Sequence, residues 1–409
     1  MSQHEDLDYS TTYEGVDFYN IDSMLTEDER MIQESVREWV DDRFLTQDPK
    51  TGLSVIESHY QAGTFPMELI KEFGDMEVLG INLEGYGLPG MSNISYGLAC
   101  QELERGDSGL RSFASVQGSL CMYPIWAFGT EEQKKKYLLK MGKAELIGCF
   151  GLTEPDHGSN PGGMLTKAID DGDSYVLNGA KMWITNGTIA DLAIVWAKLG
   201  GDSSKHIRGF IVEKDDVGFS APEMKNKNSL RASITSELVL QDCRIPKNRL
   251  LPNVAGLKGP FSCLNNARYG ISWGALGAAM GCYHSARLYA LNRTQFNKPI
   301  AQYQLVQNKL AWMLREITKG QLLAFQLGKM KDAGTLIPPQ ISLAKMNNVD
   351  IALQIARVSR DIHGANGILA EYPIMRHMAN LESVYTYEGT HDIHNLIVGR
   401  WITGLQAFF

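Results

Sequence analysis

The feature that most constrains the fold is a change of hydrophobic period, made twice along the chain. Up to about residue 148 apolar residues recur at helical spacing. Met31, Ile32, Val36, Trp39 and Val40 follow Thr26 and Glu29, a capping-box pair that marks a helix start. Further amphipathic stretches cover 67–79, 96–105 and 131–143. Over 149–255 the pattern becomes short apolar runs between polar turns. Ala168-Ile169 and Tyr175-Val176-Leu177 flank Asp170 to Asp173, and the second run precedes Asn178-Gly179, so hairpins are expected. From Gly256 the helical period returns, with Ile351, Ile355, Val358 and Ile362 on one face and Gly364 as the terminator. Strands confined to the middle predict an α+β chain rather than a doubly wound sheet. The expected units are an N-terminal helical domain (1–148), a middle β-domain (149–255) and a C-terminal helical domain (256–409), a division that suits 409 residues.

Several functions are argued against. A net charge of −8 with no basic cluster speaks against nucleic acid. The uncharged stretch 269–286 is short for a membrane span, and its Gly270, Gly274, Gly277 and Gly281 suit a closely packed core helix. Met1 to Asp22 is acidic and polar, so no targeting segment is expected and a cytoplasmic location is. Six scattered cysteines never form C-x-x-C, which predicts buried reduced thiols and no metal site. His391 and His394 share a helix face without further ligands and read as structural. Gly85-Tyr86-Gly87-Leu88-Pro89-Gly90 matches a dinucleotide fingerprint, but Pro89 marks a loop and no βαβ strand precedes it.

Four stretches carry chemistry. In Val384-Tyr385-Thr386-Tyr387-Glu388-Gly389-Thr390 a lone carboxylate stands in aromatic surroundings. Partial desolvation there raises its pKa toward the range of a general base. Gly389 would admit a substrate close to the backbone. The loop from Cys149 to Asn160 is dense in glycine, proline and small polar residues. Such a loop presents N–H groups and hydroxyls to a heterocycle or a phosphate. Trp183 and Thr185, two apart on an expected strand, would share a face suited to a planar ring. Arg293-Thr294-Gln295-Phe296 offers an arginine and an amide to a diphosphate.

Taken together and in this order, the four stretches resemble the acyl-CoA dehydrogenase family from about residue 25 to Phe409. The resemblance implies an FAD enzyme that removes two hydrogens between the α and β carbons of an acyl-CoA. It implies a homotetramer and an electron-transfer flavoprotein as partner. By position, Glu388 is the base, Phe150, Leu152, Thr153, Trp183, Thr185 and Thr390 surround the flavin ring, and Ser159 meets the CoA arm. Arg293, Gln295, Phe296, Gln304, Asp361 and Gly364 meet the diphosphate and adenine end, usually across a subunit interface; many members carry glutamine where this chain has Asp361. Arg268 and Gly389 lie beside the substrate.

The stretch from Glu104 to Ser115, together with 265–270 and 387–393, is similar to the glutaryl-CoA dehydrogenase branch of the family. That likeness implies that Arg111 pairs with a distal carboxylate, that Ser112 and Ser115 add hydroxyls, and that Glu104 and Tyr387 join the polar network. Glutaryl-CoA would become glutaconyl-CoA and then, on loss of CO2, crotonyl-CoA. Another short-chain acyl-CoA, oxygen as the electron acceptor, and a structural ion pair of Arg111 with Glu104 or Asp107 are the alternatives.

Overall fold

A computed structural model describes residues 15–407. The polar segment read over residues 1–22 lies mostly outside the described residues. Seven helices come first: α1 (Glu27–Val40), α2 (Val55–Ala62), α3 (Ile70–Asp75), α4 (Asn93–Gly106), α5 (Ser108–Ser115), α6 (Tyr123–Phe128) and α7 (Glu131–Gly142) among the described residues. The capping box forms as expected. The Thr26 N–H donates to Glu29 Oε2 at 2.9 Å and the Glu29 N–H to Thr26 Oγ1 at 3.3 Å. The glycine-rich run at 85–90 belongs to a tight hairpin of β1 (Glu84–Gly85) and β2 (Leu88–Pro89), not to a helix entrance.

Then come β3 (Gly148–Gly151), β4 (Lys167–Asp171), β5 (Ser174–Thr185), β6 (Leu192–Leu199), β7 (Ile207–Glu213), β8 (Phe219–Ser220) and β9 (Thr235–Pro246). They form a seven-stranded sheet in the order β3-β6-β4-β5-β9-β8, with β7 also on β6. β3 and β4 run parallel to β6; the other pairs are antiparallel. Asn178-Gly179 differs from the expected hairpin turn. β5 runs straight through it, because β9 pairs along the whole strand and absorbs the irregularity as a register shift between Leu177 and Gly179.

The chain closes with α8 (Lys258–Asn292), a hairpin of β10 (Thr294–Gln295) and β11 (Lys298–Pro299), then α9 (Gln304–Asp332), α10 (Pro338–Ile362), α11 (Ile374–Thr386) and α12 (His391–Thr403). α8 takes up the uncharged stretch and is the spine of the molecule. Its glycines permit close approach to α4. A Cβ at Gly277 would lie 1.8 Å from the Gln101 carbonyl oxygen, and one at Gly274 would lie 2.1 Å from Glu104 Oε2. One apolar core joins the N-terminal helices to the sheet, through Phe73, Phe113, Phe150 and Trp196. A second joins α8 to its helical neighbours, through Tyr269, Leu276, Ile317 and Ile355. A third lies within the sheet, around Leu177, Val195 and Phe210. The six cysteines are buried and unpaired. No helix among the described residues is long and apolar enough to cross a membrane.

Candidate active site

Between α11 and α12 the chain turns through Tyr387, Glu388, Gly389 and Thr390. Glu388 has φ +56° and Gly389 φ +98°. A left-handed conformation is unusual for a residue with a Cβ and persists only where the surroundings enforce it. Three successive carbonyls are held by buried cations. Arg268 Nε donates to the Glu388 oxygen at 2.6 Å, while Lys345 Nζ donates to the oxygens of Tyr387 at 3.1 Å and Gly389 at 3.0 Å. Gly389 has to be glycine. A Cβ there would sit 2.9 Å from His394 Nε2 and 3.2 Å from Arg268 Nη2. Thr390 caps α12 by accepting the Ile393 N–H at 3.2 Å.

Glu388 as a residue is half-buried, but its Oε2 is fully buried and has no hydrogen-bond partner. Burial pushes the carboxyl up to about 7, against the lowering pull of Arg268, Arg111 and Lys345. The N–H groups of Glu388 and Gly389 donate to nothing among the described residues. The turn therefore offers a desolvated carboxyl and free donors side by side.

Arg111 lies on α5 and is 2% exposed. Asp107 fixes the start of that helix, accepting the Gly109 N–H at 2.6 Å, Arg376 Nη1 at 2.7 Å and Asn380 Nδ2 at 2.8 Å. Arg111 Nε donates to Glu104 Oε2 at 2.6 Å and Nη2 to the Tyr387 hydroxyl, leaving Nη1 without a partner among the described residues. Burial disfavours the arginine's charge, but Glu104 and Tyr387 more than offset it and its pKa lies well above the ordinary value. The Ser112 hydroxyl is 3.4 Å from that of Tyr387. Burial pushes the Tyr387 phenol up to about 12. Glu104, Arg111, Ser112, Tyr387, Glu388, Gly389 and Arg268 thus form one connected cluster. Ser115, one turn further along α5, is buried and accepts from the Tyr96 hydroxyl at 3.4 Å.

A second group lies on the sheet. Phe150 and Leu152 are buried in the core that also holds Cys263 and Ala267, which precede Arg268 on α8. Thr153 is half-buried, and its carbonyl accepts the Met182 N–H at 2.9 Å. Glu154 organises the following loop, taking the N–H groups of Leu165 and Thr166 at 2.5 and 3.0 Å and Lys181 Nζ at 2.8 Å. The strict alternation expected of Trp183 and Thr185 is broken. A bulge opens between Lys181 and Ile184, putting Trp183 at φ +64° and leaving it 61% exposed. Ser159 is exposed on the loop and Thr185 half-buried.

The third group is elsewhere. Arg293 ends α8, about 25 residues or roughly 38 Å along the helix from Arg268. Gln295 and Phe296 occupy the β10–β11 hairpin, with Phe296 88% exposed. Gln304 opens α9, exposed, and Gly364 follows α10 at φ +57°. Asp361 is exposed and already paired with Lys309, whose hydrogen bond holds the carboxyl below its ordinary range. Within one chain these six residues do not meet the Glu388 turn.

Sequence reasoning missed Lys345 and Arg376. Both were readable only as cations inside apolar helical stripes: Lys345 shares the buried face of Ile341, Ala344, Asn348 and Ala352. His391 stacks on Tyr385 at 4.5 Å and His394 is buried beside Gly389, structural places for both.

Family models named acyl-CoA dehydrogenase N-terminal, middle and C-terminal domain match residues 26–145, 149–243 and 255–403. The chain belongs to the acyl-CoA dehydrogenase family. A glutaryl-CoA dehydrogenase from Mycobacterium smegmatis superposes at TM-score 0.92, with 52% identity, over 97% of this chain and 100% of that one. The complex with FADH2 from the same organism is 51% identical at the same TM-score and coverage. A short-chain specific acyl-CoA dehydrogenase of Clostridium acetobutylicum is 33% identical over 387 residues, 92% of this chain and 98% of that protein. A structure titled electron transferring flavoprotein of Acidaminococcus fermentans is 33% identical at TM-score 0.88, over 93% of this chain and 98% of that one. This acyl-CoA dehydrogenase uses FAD. The exposed indole of Trp183 and the unpartnered, buried Glu388 Oε2 fit a planar cofactor and a substrate that would cover them.

Proposed function

We propose that this enzyme oxidises glutaryl-CoA to glutaconyl-CoA and releases CO2 to give crotonyl-CoA. The observation that carries the substrate assignment is Arg111. It is a buried guanidinium joined through Tyr387 to the Glu388 turn, with Nη1 still free. A buried cation in a tunnel for a plain acyl chain would be costly; a distal carboxylate gives Nη1 a partner. Ser112, and Ser115 from the next turn, would supply hydroxyls around it.

In this reading Glu388 is the base. Its raised pKa brings it into the range of a general base, and the Glu388 N–H, unpartnered among the described residues, would donate to the developing oxyanion. The protonated Glu388 then returns its proton to the carbon chain after CO2 leaves. When bound, FAD supplies the acceptor for the β-hydrogen as hydride. Phe150, Leu152, Thr153, Trp183, Thr185 and Thr390 would hold its ring, and Ser159 the CoA arm. Arg293, Gln295, Phe296, Gln304, Asp361 and Gly364 would hold the distal half of a cofactor seated in a second copy. Family resemblance, with a cofactor seated between copies, supports a homotetramer with an electron-transfer flavoprotein as acceptor.

A second reading is favoured by the Arg111–Glu104 ion pair, which already neutralises the arginine, and has a butyryl-type chain as substrate. Product analysis with purified enzyme and each acyl-CoA separates them. Glutaryl-CoA is expected to be preferred and to yield crotonyl-CoA with one CO2 per turnover. Accumulation of glutaconyl-CoA refutes the decarboxylation, preference for butyryl-CoA refutes the substrate, and peroxide formed in step with substrate loss refutes the flavoprotein acceptor.

A further inference from the structure

We propose that Lys345 is a positioning residue for the Glu388 base, fixing the turn that carries it and lending positive charge to the ionised carboxylate. The proposal rests on Glu388 being the base. Lys345 lies on α10, 1% exposed, on the face that α10 buries. No carboxylate forms an ion pair with it among the described residues. An ammonium buried without a carboxylate against it is expensive, and a leucine or methionine would suit an apolar stripe better. Stability of α10 therefore does not account for the lysine.

What it touches does. Its two hydrogen bonds go to the carbonyls on either side of Glu388, at 3.1 and 3.0 Å. With Arg268 holding the carbonyl between them, the backbone of 387–389 is pinned from two helices, α8 and α10. Glu388 sits at φ +56° inside this clamp, a conformation a free turn would relax. The charged and titratable groups around the lysine are Glu388 and Tyr387 in the turn, Arg268 on α8, Glu104 on α4, Arg111 on α5 and His394 on α12. Burial brings Lys345 down to about 7 against the pull of Glu388, and brings His394 down to about 2, so the histidine is neutral. With Lys345 protonated, the base therefore faces three cations from three helices, Arg268, Arg111 and Lys345. Of these, Arg111 and Arg268 have other bonded partners outside the turn, Glu104 and Asn265, whereas both of Lys345's bonds end on the turn.

Three variants test this on the flavin-loaded enzyme. Lys345→Met removes donor and charge, Lys345→Gln keeps N–H donors without charge, and Lys345→Arg keeps both. For Lys345→Met, kcat at pH 7 is expected to fall about tenfold or more while KM stays within about threefold, because the base and not the substrate pocket is disturbed. The apparent pKa of the base in the kcat/KM profile should rise by about one unit in both uncharged variants and stay near the parent value in Lys345→Arg. Unfolding temperature and flavin content, read in parallel, separate misfolding from mispositioning. If Lys345→Met does not fold, the Gln and Arg variants decide. Identical pH profiles for those two, or an unchanged profile and kcat in a folded Lys345→Met, overturn the proposal. Parent-like turnover of Glu388→Gln would instead overturn the reading on which it rests, and the clamp's catalytic role with it.

Discussion

The two ends of α8 are built on opposite terms. Around Arg268, charged groups are buried, each backbone carbonyl of the turn has a donor, and the unmet groups among the described residues are Glu388 Oε2, two N–H groups, Arg111 Nη1 and the ring nitrogens of His394. At the other end Arg293, Gln295 and Gln304 are exposed, and Phe296 stands in solvent with Leu305 and Ile368. The first end is complete enough to set a pKa. The second presents a surface and completes nothing within its own chain. Reactivity demands preorganised, desolvated groups, whereas the proposed grip on the cofactor of a second copy would demand groups that remain accessible until assembly.

The largest expected effect lies at the buried end. Glu388→Gln keeps shape and removes the base, so dehydrogenation should fall about 10⁴-fold while flavin is retained, as read by turnover and flavin absorbance. The same variant should change stability against pH. The folded carboxyl, raised from 4.5 to about 7, keeps a proton that the unfolded chain releases in that window. Its contribution to stability is therefore lost as pH rises from about 4.5 to 7, by at most about 1.4 kcal/mol per unit. Denaturant unfolding of Glu388→Gln should lack that slope. Arg293→Ala at the exposed end should act more weakly and differently. Loss of one bond to a charged diphosphate would loosen flavin retention about tenfold, and the pH dependence of turnover with saturating FAD should not move. An altered base pKa in that variant would break the contrast between the two ends.

The buried end was only partly legible in the sequence. Glu388 stood out because aromatic neighbours and a following glycine imply desolvation, and Gly274 and Gly277 announced a close helix pair. Lys345 was hidden, because a lysine in a helical stripe reads as a solvated face until the partner helix is known. Arg376 was hidden for the same reason: its partners Glu57 and Asp107 are distant in sequence. The α+β order was legible because period 2 and period 3.6 differ over a few residues. The strand bulges at Leu177 and Trp183 were not, since they depend on pairing with β9. The exposed end was legible as motif only; nothing local says how residues about 38 Å apart on one helix are put to use.

Whether Arg111 selects a distal carboxylate is decided by the ratio of kcat/KM on glutaryl-CoA to that on butyryl-CoA, measured in parent enzyme and in Arg111→Met. Removing one partner of a buried charge pair costs about 3–5 kcal/mol, so the parent ratio is expected to lie well above one and to fall about 10²- to 10⁴-fold in the variant, with butyryl-CoA turnover maintained or improved. Equal losses on the two substrates, or a parent that prefers butyryl-CoA, would show that Arg111 serves only its ion pair with Glu104.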